Sequence, residues 1–203
     1  ATGSCTVDAT QSGNGDYNAA APFSQTFMIS SAGQTITFPV QTVASRPYAA
    51  GSSFAISPPA SASSGLAVTY SSLSNTVCSV SGTTVGILAA GTCTIAADQA
   101  GNASIVAAPQ VPRSVTITAI PPGAPTITSA TPGDTQAVVA FTAPVDSGGS
   151  PIASYAATCR AITVNGASPP ITVTTPRTHA SVSFPVKATN GSRLQRPAAP
   201  RLP

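Results

Sequence analysis

"TGSCTVDATQSGN", residues 2–14, is echoed further along the chain by "AGTCTIAADQAGN", residues 90–102. Cys5 aligns with Cys93, and the same offset of 88 residues continues without a gap for about 27 residues. A constant offset over that length is the signature of a duplicated structural module of about one small domain. The repeat therefore predicts that one fold occurs more than once in this chain.

The repeat also predicts the domain boundaries. Residues 31–120 hold a complete copy, and residues 1–30 correspond to the C-terminal end of a copy whose front part is missing. Because the chain opens inside the motif, we expect it to be an excerpt of a longer protein, with any export signal lying upstream.

Apolar residues inside the complete copy alternate with polar ones and do not recur at helical spacing. Val68 and Tyr70 flank Thr69, and a period of two is typical of half-buried β-strands. Glycines and prolines break these runs at the spacing expected of a β-sandwich, and no segment has the pattern of a three-turn helix. The other alternating residues are Ile36, Phe38, Val40, Phe54, Ile56, Val115 and Ile117.

A second β-module is predicted beyond a short linker. "PPGAP" at 121–125 is stiff and poor in hydrogen-bond donors, which suits a connection between sandwiches. Alternation then resumes, with Val139 and Phe141 in one predicted strand and Tyr155 and Cys159 in another.

Charged residues make up only 6% of the chain, against roughly 25% in typical globular domains. The formal net charge is +3, but the excess of basic residues follows position 176. Scattered basic residues without interleaved aromatic ones are a weak electrostatic footprint, so no nucleic-acid partner is expected. No run of about 18 apolar residues occurs, so no membrane insertion is expected.

Two families resemble successive parts of the chain. Residues 34–117, with "QTITFPV", "ASSGLAVTYSS", "VCSVSG", "AAGTCTIAADQAGN" and "AAP", resemble the immunoglobulin-like repeats of large bacterial surface and secreted proteins. Residues 123–191, with "PGAPTI", "AVVAFTAP", "DSGGSPIASY", "ITVT" and "VKATNG", look like a bacterial fibronectin type III module. The resemblance implies an all-β chain of tandem immunoglobulin-like β-sandwiches, the first one truncated, without substantial helix, in an extracellular or cell-surface location.

The fibronectin-like module, 121–191, departs from its family's pattern after residue 174. Pro176 stands where the family has a core leucine, and Val182 where it has the tyrosine of the sandwich corner. A reading-frame slip or a degenerate terminal module would produce this departure and the unusual "SRLQRPAAPRLP" that ends the chain. We expect residues 192–203 to be disordered.

The four cysteines have neither the spacing nor the histidine partners of a zinc site. Cys78 and Cys93 flank the strand-like "TTVGIL", which predicts a disulfide between them. The bridge would close a loop of about 16 residues and stabilise the module by roughly 3 kcal/mol. Two buried free thiols are the alternative. By the repeat, the partner of Cys5 would lie before residue 1, and Cys159 has no evident mate.

Groups able to perform catalysis are sparse. The only histidine is His179, no Gly-x-Ser-x-Gly motif occurs, and the aspartates are scattered. Asp134 and Asp146 lie on either side of one predicted strand, too far apart for paired acid–base work. "GNGDYN" lacks the third glycine of a dinucleotide-binding loop and is better explained as a tight turn. We therefore predict no catalytic, cofactor-binding or metal-ligating residues.

The leading hypothesis is a non-catalytic structural or adhesive role in an exported bacterial surface protein, with neighbouring repeats of the parent chain as immediate partners. The alternative is an accessory spacer of a secreted hydrolase, and an enzyme in its own right is a third class. A surface protein or glycan is a candidate partner for the sandwich loops at 44–52, 99–104 and 146–151. Arg46 and Tyr48 form an arginine–aromatic pair that resembles a contact site.

Overall fold

The computed structural model of this chain describes residues 2–159, 162–174 and 183–190. Every regular element in those ranges is a β-strand, and they contain no helix. The prediction of an all-β fold is confirmed. The predictions made for Pro176, His179, Val182 and the tail at 192–203 fall outside the described residues.

The first two strands form a hairpin by themselves. β1 (Gly3–Ala9) and β2 (Phe23–Ile29) pair antiparallel, with Cys5 opposite Phe27. No other described strand joins this sheet. Every residue of both strands is exposed, so the hairpin has no core of its own among the described residues.

Nine strands build the first sandwich. They are β3 (Ile36–Thr37), β4 (Ser45–Pro47), β5 (Ser53–Ala55), β6 (Ser61–Ala62), β7 (Thr69–Ser72), β8 (Cys78–Ser81), β9 (Thr84–Ile87), β10 (Gly91–Asp98) and β11 (Val111–Thr118). One sheet has the order β4-β11-β10-β7 and the other β5-β9-β8, while β3 pairs with β6. All pairings are antiparallel except that of β4 with β11. This separation of strands between two sheets is that of an immunoglobulin-like sandwich.

The core of the first sandwich lies between its two sheets. Cys93 and Ile95 of β10 and Val115 and Ile117 of β11 are between 0% and 2% exposed. Their alternate spacing along each strand directs them to one face, as the period-two pattern predicts. The ring of Phe38 packs against that of Tyr70 with centroids 5.7 Å apart. Burying side chains of this size stabilises the fold by about 1.5–3 kcal/mol each.

A disulfide between Cys78 and Cys93 connects the two sheets of this sandwich. Cys78 begins β8 in one sheet and Cys93 lies in β10 of the other, with their Cα atoms 5.6 Å apart. Both are completely buried. The predicted disulfide is confirmed, and the alternative of two buried free thiols is wrong.

Six strands build the second sandwich. They are β12 (Thr126–Gly133), β13 (Gln136–Thr142), β14 (Ser154–Cys159), β15 (Ile162–Gly166), β16 (Ile171–Thr174) and β17 (Val186–Thr189). The sheet orders are β12-β13-β16 and β15-β14-β17, an arrangement of the same immunoglobulin and fibronectin class. Val139, Val173 and Val186 are fully buried between them, and the rings of Phe141 and Tyr155 lie 4.9 Å apart.

Two local expectations are wrong. Val40 was expected to alternate inward after Phe38, but it is 75% exposed. Gln41 is buried in its place, and its side-chain oxygen accepts a hydrogen bond of 2.9 Å from the Ser57 amide. The chain leaves strand β3 before Val40, so the period of two does not extend to it. The second expectation concerns the loop at 44–52, because part of it forms strand β4. This strand can contain Pro47 because β4 lies at the edge of its sheet.

Candidate functional site

Arg46, predicted as a contact residue, packs on its own sandwich. Its guanidinium carbon lies 4.7 Å from the centroid of the Phe54 ring, a cation–π contact worth about 0.5–1 kcal/mol. Its backbone oxygen accepts a 3.1 Å hydrogen bond from the Thr118 hydroxyl. Arg46 is therefore half-buried and engaged within the molecule.

Tyr48, the other predicted contact residue, lies where the two sandwiches meet. Its backbone amide donates to the Thr118 oxygen at 2.8 Å, and its side chain packs partly buried against the first core. Its ring also lies against Gly149, which belongs to the second sandwich. A methyl group on Gly149 would overlap Cγ and Cδ2 of this ring, so the contact needs glycine.

The loop that contains Gly149 makes three backbone hydrogen bonds across the connection. The Ala90 amide donates to the Gly149 oxygen at 2.8 Å, and the Ile120 amide donates to the Gly148 oxygen at 3.0 Å. The Gly123 amide donates to the Asp146 oxygen at 2.9 Å. Gly148 and Gly149 have φ values of +75° and +82°, a region that favours glycine.

The Asn190 side chain, at the end of the second sandwich, hydrogen-bonds both the linker and this loop. Its side-chain nitrogen donates to the Ile120 oxygen at 2.9 Å and to the Ser147 oxygen at 2.6 Å. The side chain is only 4% exposed, so these carbonyl groups are bonded in a place shielded from water. We call the set formed by Tyr48, Ala90, residues 120–123, residues 146–149 and Asn190 the inter-sandwich joint.

Two of the three predicted binding loops, 44–52 and 146–151, therefore meet each other. The third, 99–104, lies against the segment that precedes β3. The Ala32 amide donates to the Ser104 oxygen, and the Val106 amide donates to the Ala32 oxygen, both at 2.9 Å. Exposed side chains remain at the tip of this loop, at Asn102, Ala103 and Ser104.

Three of the five aspartates accept local hydrogen bonds through their carboxylates. Asp98 accepts two bonds from the Gln110 side chain at 2.8 and 3.0 Å, Asp146 accepts one from the Gly148 amide at 2.8 Å, and Asp8 accepts one from the Ser24 hydroxyl. Within residues 2–159, 162–174 and 183–190, no group of three or more potential metal ligands converges. None of those ranges forms a helix with the length and hydropathy needed to cross a bilayer. His179 lies outside them.

An apolar face on the hairpin is the feature that sequence reasoning missed. Phe23 and Phe27 of β2 are 67% and 51% exposed, and Tyr17 in the connecting turn is 74% exposed. These rings are exposed because no second sheet packs on the hairpin in the described structure. The signal that could have found this face was the repeat itself, since residues 1–30 match only two strands of the complete copy.

No protein-family model matches the chain, and no curated protein matches it. Among solved structures it is similar to a crystal structure of domains from titin, with a TM-score of 0.36 and 18% sequence identity over 88% of this chain and 69% of that one. A likeness at that level carries no argument about function. Both units of this chain are immunoglobulin- and fibronectin-type β-sandwiches on the strength of their strand orders.

Proposed function

We propose that this chain is a non-catalytic structural segment of an exported bacterial surface protein, in which two β-sandwiches in series act as a stiff spacer. The single observation that carries the proposal is the inter-sandwich joint. Domains in one chain move relative to one another by default unless their interface holds them. Here the residues between the sandwiches are hydrogen-bonded to the second sandwich and are in contact with the first.

The stiffness comes from the hydrogen bonds that the linker and the first sandwich each make to the second sandwich. The Ile120 amide and carbonyl oxygen are both bonded to the second sandwich, to Gly148 and Asn190. Pro122 and Pro125 are buried, and proline restricts the backbone between these bonds. The Ala90 bond then connects the first sandwich directly to Gly149. Reorientation of the sandwiches would have to break the Ala90–Gly149 hydrogen bond and separate the Tyr48 ring from Gly149.

Disulfide chemistry supports an exported location. Disulfides persist in oxidising compartments and are rare in reducing ones, and Cys78–Cys93 lies in the core of the first sandwich. We therefore propose that the chain is displayed outside the cell or at its surface. Weak contacts with a surface protein or glycan would fall to the exposed tip at Asn102 and Ser104, because Arg46 and Tyr48 are engaged within the molecule.

Distance measurement between paired spin labels tests the spacer role. Thr116 on β11 and Thr172 on β16 are exposed, so T116C and T172C place one label on each sandwich. The background carries C5S, because Cys5 is the exposed free cysteine, whereas Cys159 is buried. We expect one narrow distance distribution. A broad distribution would mean that the sandwiches reorient freely, and the stiff-spacer proposal would be wrong.

Surface shaving tests the location separately. Intact cells of the source organism are treated with a protease too large to enter them, and the chain is followed with an antibody. We expect loss of the cell-associated chain or its presence in the medium, while a cytosolic marker stays intact. A chain protected until lysis would contradict the proposed location.

A further inference from the structure

We infer that the apolar face of the β1–β2 hairpin is one half of a sandwich interface. Its other half is a sheet of the β5-β9-β8 type from the same polypeptide, which brings a cysteine to Cys5. This face consists of Cys5, Val7, Phe27 and Ile29, which we call the hairpin face. The inference stands independently of the spacer role.

The hairpin has the geometry of β10–β11. Cys5 lies opposite Phe27 as Cys93 lies opposite Val115, and the offset of 88 residues holds at every pair of the ladder. Gly3 and Gly91 have φ values of +152° and +143°. The two hairpins are therefore the same structural element, although one has a partner sheet and the other does not.

The connecting turns agree in their hydrogen bonds as well. The Asn14 amide donates to the Tyr17 oxygen at 2.9 Å, as the Asn102 amide does to the Ile105 oxygen at 2.8 Å. The side-chain oxygen of Asn14 accepts two backbone amides, at 2.9 Å each, and that of Asn102 accepts two at 2.9 and 3.0 Å. Because the Asn14 turn makes the same hydrogen bonds in the uncovered hairpin, its conformation does not depend on a covering sheet.

Exposure is where the two copies differ. The hairpin face presents Val7, Phe27 and Ile29 at 56%, 51% and 51% exposure. The equivalent residues Ile95, Val115 and Ile117 are 0%, 1% and 2% exposed. Three large apolar side chains on one face of a two-stranded hairpin are unfavourable in water, and such hairpins are at best marginally stable alone.

The complete copy shows what covers such a face. There, the residues equivalent to the hairpin face belong to one core with Phe54, Cys78, Val85 and Ile87 of β5, β8 and β9. Cys93 is bonded to Cys78 of that sheet, and Cys5 occupies the equivalent place as an exposed free thiol. A covering sheet of the same type would put a cysteine within bonding distance of Cys5. Formation of that bridge removes two electrons and two protons from the thiol pair, taken up by a thiol oxidant such as a low-molecular-weight disulfide.

A fusion that restores the order of the complete copy tests the inference. A second copy of residues 31–88 is joined ahead of Ala1 of the full chain, because Ala1 aligns with Ala89. After refolding with a disulfide redox buffer, we expect one free thiol in the fused chain, that of Cys159, against two in the original chain. Amide exchange at Val7 and Phe27 should slow by more than about tenfold relative to the original chain.

A matched control removes the bridge. With C5S in the fusion, the added copy of Cys78 should remain a free thiol, counted by alkylation after unfolding without reductant, while the hairpin amides keep part of their protection. Phe27 is larger than Val115, and Val7 is smaller than Ile95, so a second fusion carrying V7I and F27V restores the residues of the complete copy. If neither fusion protects the hairpin amides or closes the second bridge, the inference is overturned. It is also overturned if Cys5 instead links two chains into a dimer.

Discussion

Gly149 lies against the ring of Tyr48, so close that a single methyl group on its Cα would overlap the ring. Replacing it with alanine should therefore open the inter-sandwich joint. We expect G149A to lose about 1–2 kcal/mol from the positive φ of this residue alone, and more from the overlap. Hydrogen exchange at the Ala90 amide, which donates to the Gly149 oxygen, should accelerate while exchange in both cores stays slow.

Gly51 supplies the matched control for this substitution. Its φ is +69°, and a Cβ added there meets nothing within 4 Å. G51A should therefore lower the free energy of unfolding only by the cost of the positive φ, and it should leave the inter-sandwich joint undisturbed. In addition, G149A should cost less when Tyr48 is also alanine, with a coupling of about 0.5–3 kcal/mol. Equal effects of G149A in both backgrounds would show that the ring contact is irrelevant.

Asn190 should stabilise the joint through its side-chain amide. N190A removes the donor to the Ile120 and Ser147 oxygens and should cost about 1–3 kcal/mol, because buried carbonyl groups lose their partner. N190D should cost more, since a carboxylate oxygen would replace the donor and face the same two oxygens. Chemical denaturation followed by tyrosine fluorescence measures both. N165A, at an exposed asparagine of β15, should change stability by less than about 0.5 kcal/mol.

Loss of the disulfide should act on one sandwich only. Replacing Cys78 and Cys93 with alanine should destabilise the first sandwich by about 3 kcal/mol, because the closed loop spans 15 residues of sequence separation. The second sandwich has its own core and should unfold at an unchanged denaturant concentration. C5S is the control, and it should leave both transitions in place because Cys5 is exposed. A shift of both transitions by the same amount would contradict independent cores.

Alternation located many of the strands because one face of each strand is buried. Val139 and Phe141 lie in β13, and Tyr155 and Cys159 in β14, all of them buried as their spacing predicts. Where the chain leaves a sheet, as at Val40, alternation of apolar residues no longer indicates which side chains are buried. The sequence pattern therefore locates strands better than it locates their ends.

No comparable sequence pattern indicates the inter-sandwich joint. Asn190 and Ile120 are 70 residues apart, and nothing in either segment indicates their contact. The glycine pair at 148 and 149 was visible, but a glycine-rich loop has the same composition whether a ligand or another domain approaches it. For the same reason the sequence indicates only that Arg46 and Tyr48 form a contact pair, and it does not indicate that Phe54 and Gly149 lie beside them.

Ile29 of the hairpin and Ile117 of the complete repeat occupy equivalent positions, so substitutions at these two residues compare the two copies directly. Ile117 is 2% exposed and Ile29, at the equivalent position, is 51% exposed. I117A should cost about 2–5 kcal/mol because it leaves a cavity in the first core. I29A should change stability by less than about 0.5 kcal/mol. In the chain fused to a second copy of residues 31–88, I29A should become costly, approaching the value for I117A, since the added sheet would bury this side chain. Denaturant unfolding of these three variants and their two parent chains measures this, and an I29A cost that stays near zero in the fused chain would show that the hairpin face remains uncovered.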